Sequence, residues 1–147
     1  MEGESCRLPA GKGDSEAEVI RRLLAANRIA VVGLSDDPSR PSFRIASYLL
    51  SAGKQVIPVN PTHTSVLGLT CYPSLEAVPG PIELVDVFRR PEHCAEVVRS
   101  VIAVKARGVW LQSGIVNDEA RALAAQAGID FVQDRCIMVE HMRSAED

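Results

Sequence analysis

The chain has 147 residues, of which 46% are hydrophobic and 24% charged, close to globular averages and against disorder. This is one domain's worth of chain, large enough to bury a core without staples and too short for an enzyme with separate cofactor and substrate domains. Sixteen Lys and Arg against nineteen Asp and Glu leave a net charge of −3, which argues against a nucleic-acid-binding surface, and no apolar run reaches the ~18–20 residues of a membrane span.

Residues 1–14 are polar and glycine-rich, lack the apolar stretch of a signal peptide, and read as an N-terminal arm before a single domain at 15–147. Ser15 with Glu18 forms a capping-box pattern, and Val19, Ile20, Leu23 and Leu24 make one apolar stripe, so a helix starts here and stops near Asn27. Residues 29–33 (IAVVG) are wholly apolar and closed by glycine, as in a strand buried on both faces of a parallel sheet. After a polar loop, Arg40-Pro41 opens a second helix, with Ile45/Leu49 and Ala46/Leu50 on its buried side and Gly53 as its cap. Residues 55–60 (QVIPVN) form a strand whose Pro58 suits an edge and not a sheet centre.

Residues 63–81 are turn-rich, with a short helical turn at 74–77. Residues 83–88 (ELVDVF) form the third strand. Pro91 begins a helix carrying Cys94, Val97, Val98, Val101 and Ile102, which the sequence ends at Gly108. A strand follows at 109–112, then a helix capped by Asn117 and ended by Gly128, then a strand at 129–132. Strands alternating with helices predict an α/β fold: a doubly wound, mainly parallel sheet of about five strands with helices on both faces.

Ligands in such sheets bind beyond the carboxyl ends of the strands, where the strand order reverses. The segments that follow the strands carry Gly33, Ser35 and Arg40, then Asn60 and Pro61, then Phe88, Arg89 and Arg90, then Gln112, Ser113 and Gly114, then Asp134, Arg135 and Cys136. Arg40, Arg44, Arg89 and Arg90 make this rim locally positive. The first loop suits a phosphate: Gly33 allows a tight turn, Ser35 offers a hydroxyl and the next helix presents its N-terminus. The dinucleotide fingerprint is incomplete, since Gly33-Leu34-Ser35-Asp36-Asp37-Pro38 lacks its second and third glycines and the second strand ends in Asn60 instead of an acid. Ordinary NAD binding is therefore disfavoured.

Read together, the blocks IAVVGLS (29–35), PSRPS (38–42), VIPVNP (56–61), VDVFRRP (85–91), VWLQSG (109–114) and DRC (134–136) resemble the small bacterial CoA-binding proteins of Rossmann-like fold. These are similar to the CoA-binding domain of succinyl-CoA synthetase and of ADP-forming acyl-CoA synthetases. The resemblance covers about residues 16–143 and implies coenzyme A or an acyl-CoA lying across the rim. Gly33, Ser35, Arg40 and Ser42 would then surround the diphosphate, and Asn60 and Pro61 would lie near the adenosine. Phe88, Arg89 and Arg90 would border the adenine or pantetheine, and Gln112, Ser113 and Gly114 would close the far wall. Asp36 and Asp37 do not fit an anion site and are expected to face solvent.

Catalysis needs a nucleophile or a placed acid–base pair. Cys136 is the best thiol, with Arg135 beside it and His141 as a conceivable base, but an inert cysteine is the commoner case. No catalytic residue and no metal ligand is assigned: His93 and Cys94 point apart at a helix start, and His63 is expected to be solvated. Core packing is preferred for Trp110 and Phe88 over stacking on an adenine. Cys6, Cys71, Cys94 and Cys136 show no paired spacing and are expected to be reduced thiols in a cytoplasmic protein. The expected function is CoA or acyl-CoA binding as a carrier, sensor or regulator. An NAD(P)-binding redox protein and an interaction subunit of a split acyl-CoA synthetase are the alternatives, and a homodimer or protein partner is left open.

Overall fold

The computed structural model describes residues 14–146, so nearly all of the expected arm, including Cys6, lies outside the described residues. Helix α1, Glu16–Leu24, starts as its sequence demands. The Ser15 hydroxyl accepts from Glu18 N at 3.1 Å, and the Glu18 carboxylate accepts from Ser15 N at 2.9 Å. The strands are β1 (Arg28–Val32), β2 (Gln55–Val59), β3 (Ser65–Val66), β4 (Leu69–Thr70), β5 (Leu84–Val87), β6 (Gly108–Leu111) and β7 (Asp130–Val132). The remaining helices are α2 (Pro41–Ser51), α3 (Cys94–Ala103), α4 (Asp118–Gln126) and α5 (Ile137–Glu146).

Five strands form one parallel sheet in the order β2-β1-β5-β6-β7. The fold is the expected Rossmann-like α/β fold with helices on both faces. Strand pleating sends alternate residues to opposite sides. Ile29, Val31, Leu84 and Trp110 pack under α1, α2 and α5, while Ala30, Val32, Val85, Val87 and Leu111 pack under α3 and α4. Both faces are covered, so the strands read as continuous apolar runs. The chain leaves β1 toward β2 and returns on the other side of β1 at β5, which places the reversal of strand order between β1 and β5.

Pro58 lies in the edge strand β2, as its chemistry requires. Its carbonyl accepts from Tyr72 N at 3.0 Å on the outer side. Its missing N–H therefore also faces outward, and no bond to β1 is lost.

Three features depart from the sequence reading. Helix α3 does not run to Gly108: a 3-10 turn at Pro91–His93 leads into it, and it ends at Ala103. Lys105 takes the left-handed position at φ 61°, with Ala106 N donating to Val101 O at 3.2 Å. Gly108 instead begins β6, where a Cβ would come within 2.4 Å of Leu23 Cδ2 of α1, so the missing side chain leaves room for Leu23 against the sheet. The turn-rich segment also holds a small antiparallel hairpin, β3 with β4, turning at Leu67 and Gly68, both at positive φ. Finally, α5 closes the chain. Its first residue, Ile137, is fully buried, while Val139 and Met142 are exposed.

Candidate functional site

Gly33 ends β1 at φ 83°, and a Cβ there would lie 2.3 Å from the Phe88 carbonyl oxygen. The residue lets the loops after β1 and β5 touch at the reversal of strand order. Beyond it, Ser35 N donates to the buried Ser42 hydroxyl at 3.0 Å, and the Ser35 hydroxyl accepts from Asp37 N. Ser42 thus fixes the loop from within. Asp37 accepts from the N–H and hydroxyl of Ser39, and these bonds hold its carboxyl below the usual range. It closes its own turn, while Asp36 lies 3.8 Å from His63 Nδ1, so His63 has a neighbour and is not simply solvated.

Helix α2 has Arg40 at its N-cap with no side-chain cap, unlike α1 and α4, where Ser15 and Asn117 fill that role. The first amides of α2 are left to the rim. Arg40 is exposed, and Arg44 donates to Ser39 O at 2.7 Å. Asn60 is engaged at both ends: Nδ2 donates to Leu34 O at 3.1 Å and Oδ1 accepts from Thr62 N and Oγ1. It ties the end of β2 to the loop after β1.

Phe88 and Arg89 are adjacent and serve opposite sides of the sheet. Arg89 lines a cavity of about 200 Å³ on the α3 side, with Val59, Pro61, Pro73 and Ser74. Phe88 lines a more apolar cavity of about 380 Å³ between the starts of α2 and α5, with Ile45, Gln112, Ser113, Cys136 and Met138. Of the residues expected at the rim, Pro61 and Arg89 line the first hollow and Phe88, Gln112 and Ser113 the second, while Gly33, Ser35, Arg40, Ser42, Asn60, Arg90 and Gly114 line neither. Arg90 is exposed, and its carbonyl accepts from Cys94 Sγ at 3.5 Å. Gly114 N donates to Asp134 Oδ1 at 2.8 Å, which joins the loops after β6 and β7. A groove at the opposite, amino end of the sheet is lined by Lys105, Arg107 and Gly128, away from the strand ends where such folds hold ligands.

Trp110 is core, as preferred: it is fully buried and its Nε1 donates to Arg135 O at 2.8 Å, anchoring the β7–α5 loop. Cys136 is half-buried in the cavity wall. The base weighed for it is engaged elsewhere, because His141 Nδ1 lies 2.6 Å from the Tyr48 hydroxyl, and Arg135 pairs with Glu16 and Glu140. Burial pushes the thiols of Cys71 and Cys94 up. Among the described residues no cluster of His, Cys, Asp and Glu would hold a metal, and no helix is long and apolar enough to cross a membrane.

One residue escaped the sequence reading. Asp86 sits in the middle of β5, completely buried, with burial raising its pKa to about 7. Its Oδ1 accepts from Gln112 Nε2 at 2.5 Å, and its Oδ2 has no partner among the described residues. The signal was present: an acid inside an apolar strand covered on both faces is costly and asks for a reason.

A sequence model described as a CoA binding domain matches residues 27–142. The chain is 41% identical over 127 residues to the uncharacterized protein YneT of Bacillus subtilis, covering 86% of this chain and 94% of that one. A solved structure of a hypothetical protein from Pyrococcus horikoshii OT3 is similar at 40% identity and a TM-score of 0.84, covering 96% and 98% of the two chains. An ADP-forming acetate–CoA ligase of Archaeoglobus fulgidus is 26% identical over 102 residues, 68% of this chain and 15% of that enzyme.

Proposed function

Since the chain belongs to the family of CoA-binding domains, related to parts of acyl-CoA synthetases, we propose that it binds coenzyme A or a short acyl-CoA across the carboxyl rim, without catalysis of its own. Its role would then be that of a carrier, sensor or regulator in the cytoplasm. The observation that carries this reading is the uncapped start of α2 at the edge of the more apolar hollow, with Arg89 lining a second hollow on the other side of the sheet.

A diphosphate would meet the free α2 amides with Arg40 and Ser35 alongside, where anions are favoured. The adenosine end would enter the α3-side hollow past Asn60 and Pro61, with Arg89 close to a phosphate on the ribose. The pantetheine would run past Phe88 to Gln112, Ser113 and Gly114 on the other side, with Ser42 and Asn60 acting by shaping the loop and Arg90 supplying positive charge. The related ligase is a far longer chain, so a separate synthetase subunit is the partner this reading admits.

Isothermal titration with CoA, acetyl-CoA, NAD and NADH tests the reading. Saturable heat with a CoA species and none with the nicotinamide nucleotides is expected. A folded sample that binds neither CoA species, or that prefers NADH, overturns it.

A further inference from the structure

The cavity between α2 and α5 has a floor that the rim alone does not explain. In β5, Asp86 stands opposite Val31 of β1 and Trp110 of β6, two fully buried apolar side chains. Its carboxyl nevertheless reaches Gln112, one step nearer the rim, so it leans toward the cavity that Gln112 lines. Among the described residues lining that cavity, Arg44 is the one cation, held by Ser39 O, and Cys136 is the one other titratable group. Among the described residues Gln112 is the one hydrogen-bond partner of the Asp86 carboxyl.

The Gln112 side-chain oxygen has no partner among the described residues and is not sealed in, since Asp86 Oδ2 is the enclosed side-chain atom without one. An ionised carboxylate only accepts, so Gln112 must turn an N–H toward it and show its oxygen to the cavity. A protonated carboxyl also donates, so Gln112 can turn over, accept from Asp86 and show its NH2 instead.

We propose that Gln112, set by Asp86 beneath it, reads the sulfur end of the ligand: its oxygen favours a free thiol, and its NH2 favours the carbonyl of a thioester. This rests on the CoA reading above and adds to it the residue that tells acylated from free ligand. The raised pKa of Asp86 puts the change of state near neutral pH. A lower pH therefore favours acyl-CoA over CoA.

The test is the ratio of the Kd values for CoA and acetyl-CoA, measured by titration between about pH 8 and about pH 6 on the wild-type protein, Asp86→Asn and Gln112→Met. The 3′-phosphate titrates alike in both ligands and cancels in the ratio. The wild-type ratio is expected to shift toward acetyl-CoA by about three- to tenfold as the pH falls, the worth of one hydrogen bond. Both variants should show a ratio that does not move with pH. Binding with a flat ratio in the wild type, or a slope kept by either variant, overturns this inference alone. Binding of neither ligand at any pH overturns the CoA reading and this inference with it.

Discussion

The two ends of the carboxyl rim are built from different materials. The end at Gly33–Arg40 is made of backbone and surface: a tight turn, exposed helix amides, and an arginine in solvent. The end at Gln112 is made of buried side chains over an enclosed acid. The first is kept in shape by short local bonds, Ser35 to Ser42 and Asp37 to Ser39, with Asn60 and the Phe88 carbonyl against its base. The second exists only because β5 and β6 pair and α5 folds back over them. Charge at the first end costs little because water solvates it, whereas charge at the second opposes folding.

The largest expected effect tests that last contrast. Asp86 holds its proton more tightly folded than unfolded, with a folded pKa of about 7. Its ionisation therefore adds no cost well below about pH 4, where both states are protonated, and stability falls as pH rises from about 4 to about 7. The cost above that pH is on the order of 4 kcal/mol. Asp86→Asn should be more stable than wild type by up to that amount at about pH 8 and nearly equal to it at about pH 4, by urea unfolding. Parallel pH profiles would remove the distinction between the two ends.

Gly33→Ala comes next. The new Cβ meets the Phe88 carbonyl in a left-handed conformation, so a loss of about 3 kcal/mol in unfolding free energy is expected. An unchanged midpoint would mean that the loops after β1 and β5 do not touch as described. Arg40→Ala should weaken CoA binding by about 1.5–3 kcal/mol and leave stability nearly unchanged, because the side chain is exposed. An equal Kd would take Arg40 out of the site. The smallest effect is expected for Ser113→Ala, an exposed lining residue: a change in stability within about 0.5 kcal/mol, measured by the same unfolding experiment.

Much of the Gly33–Ser42 end was legible in the chain, since Gly33, Ser35, Arg40 and Ser42 lie within ten consecutive residues and Ser35, Asp37, Ser39 and Ser42 bond among themselves. The five sheet strands and the caps at Ser15 and Asn117 were legible for the same reason. The hairpin at β3 and β4 was not, because two-residue strands have no readable alternation. Nor was α5, where exposed Val139 and Met142 alternate with the buried Ile137 and the half-buried Met138 and His141.

What the sequence determined by itself is the alternation of apolar strands and amphipathic helices, the punctuation between them, and thereby the doubly wound class. These follow from forces acting within a turn of helix or along one strand. The tertiary structure decided that Phe88 and Arg89 serve separate hollows, that Gly108 is a point of contact with α1 instead of a helix end, and that Asp86 lies beneath Gln112. Those relations depend on β5 settling beside β1 instead of beside β2, its predecessor among the strands of the sheet, and on α5 covering the end of β6. Strand pairing at long range, unlike periodicity, leaves no local trace in the chain.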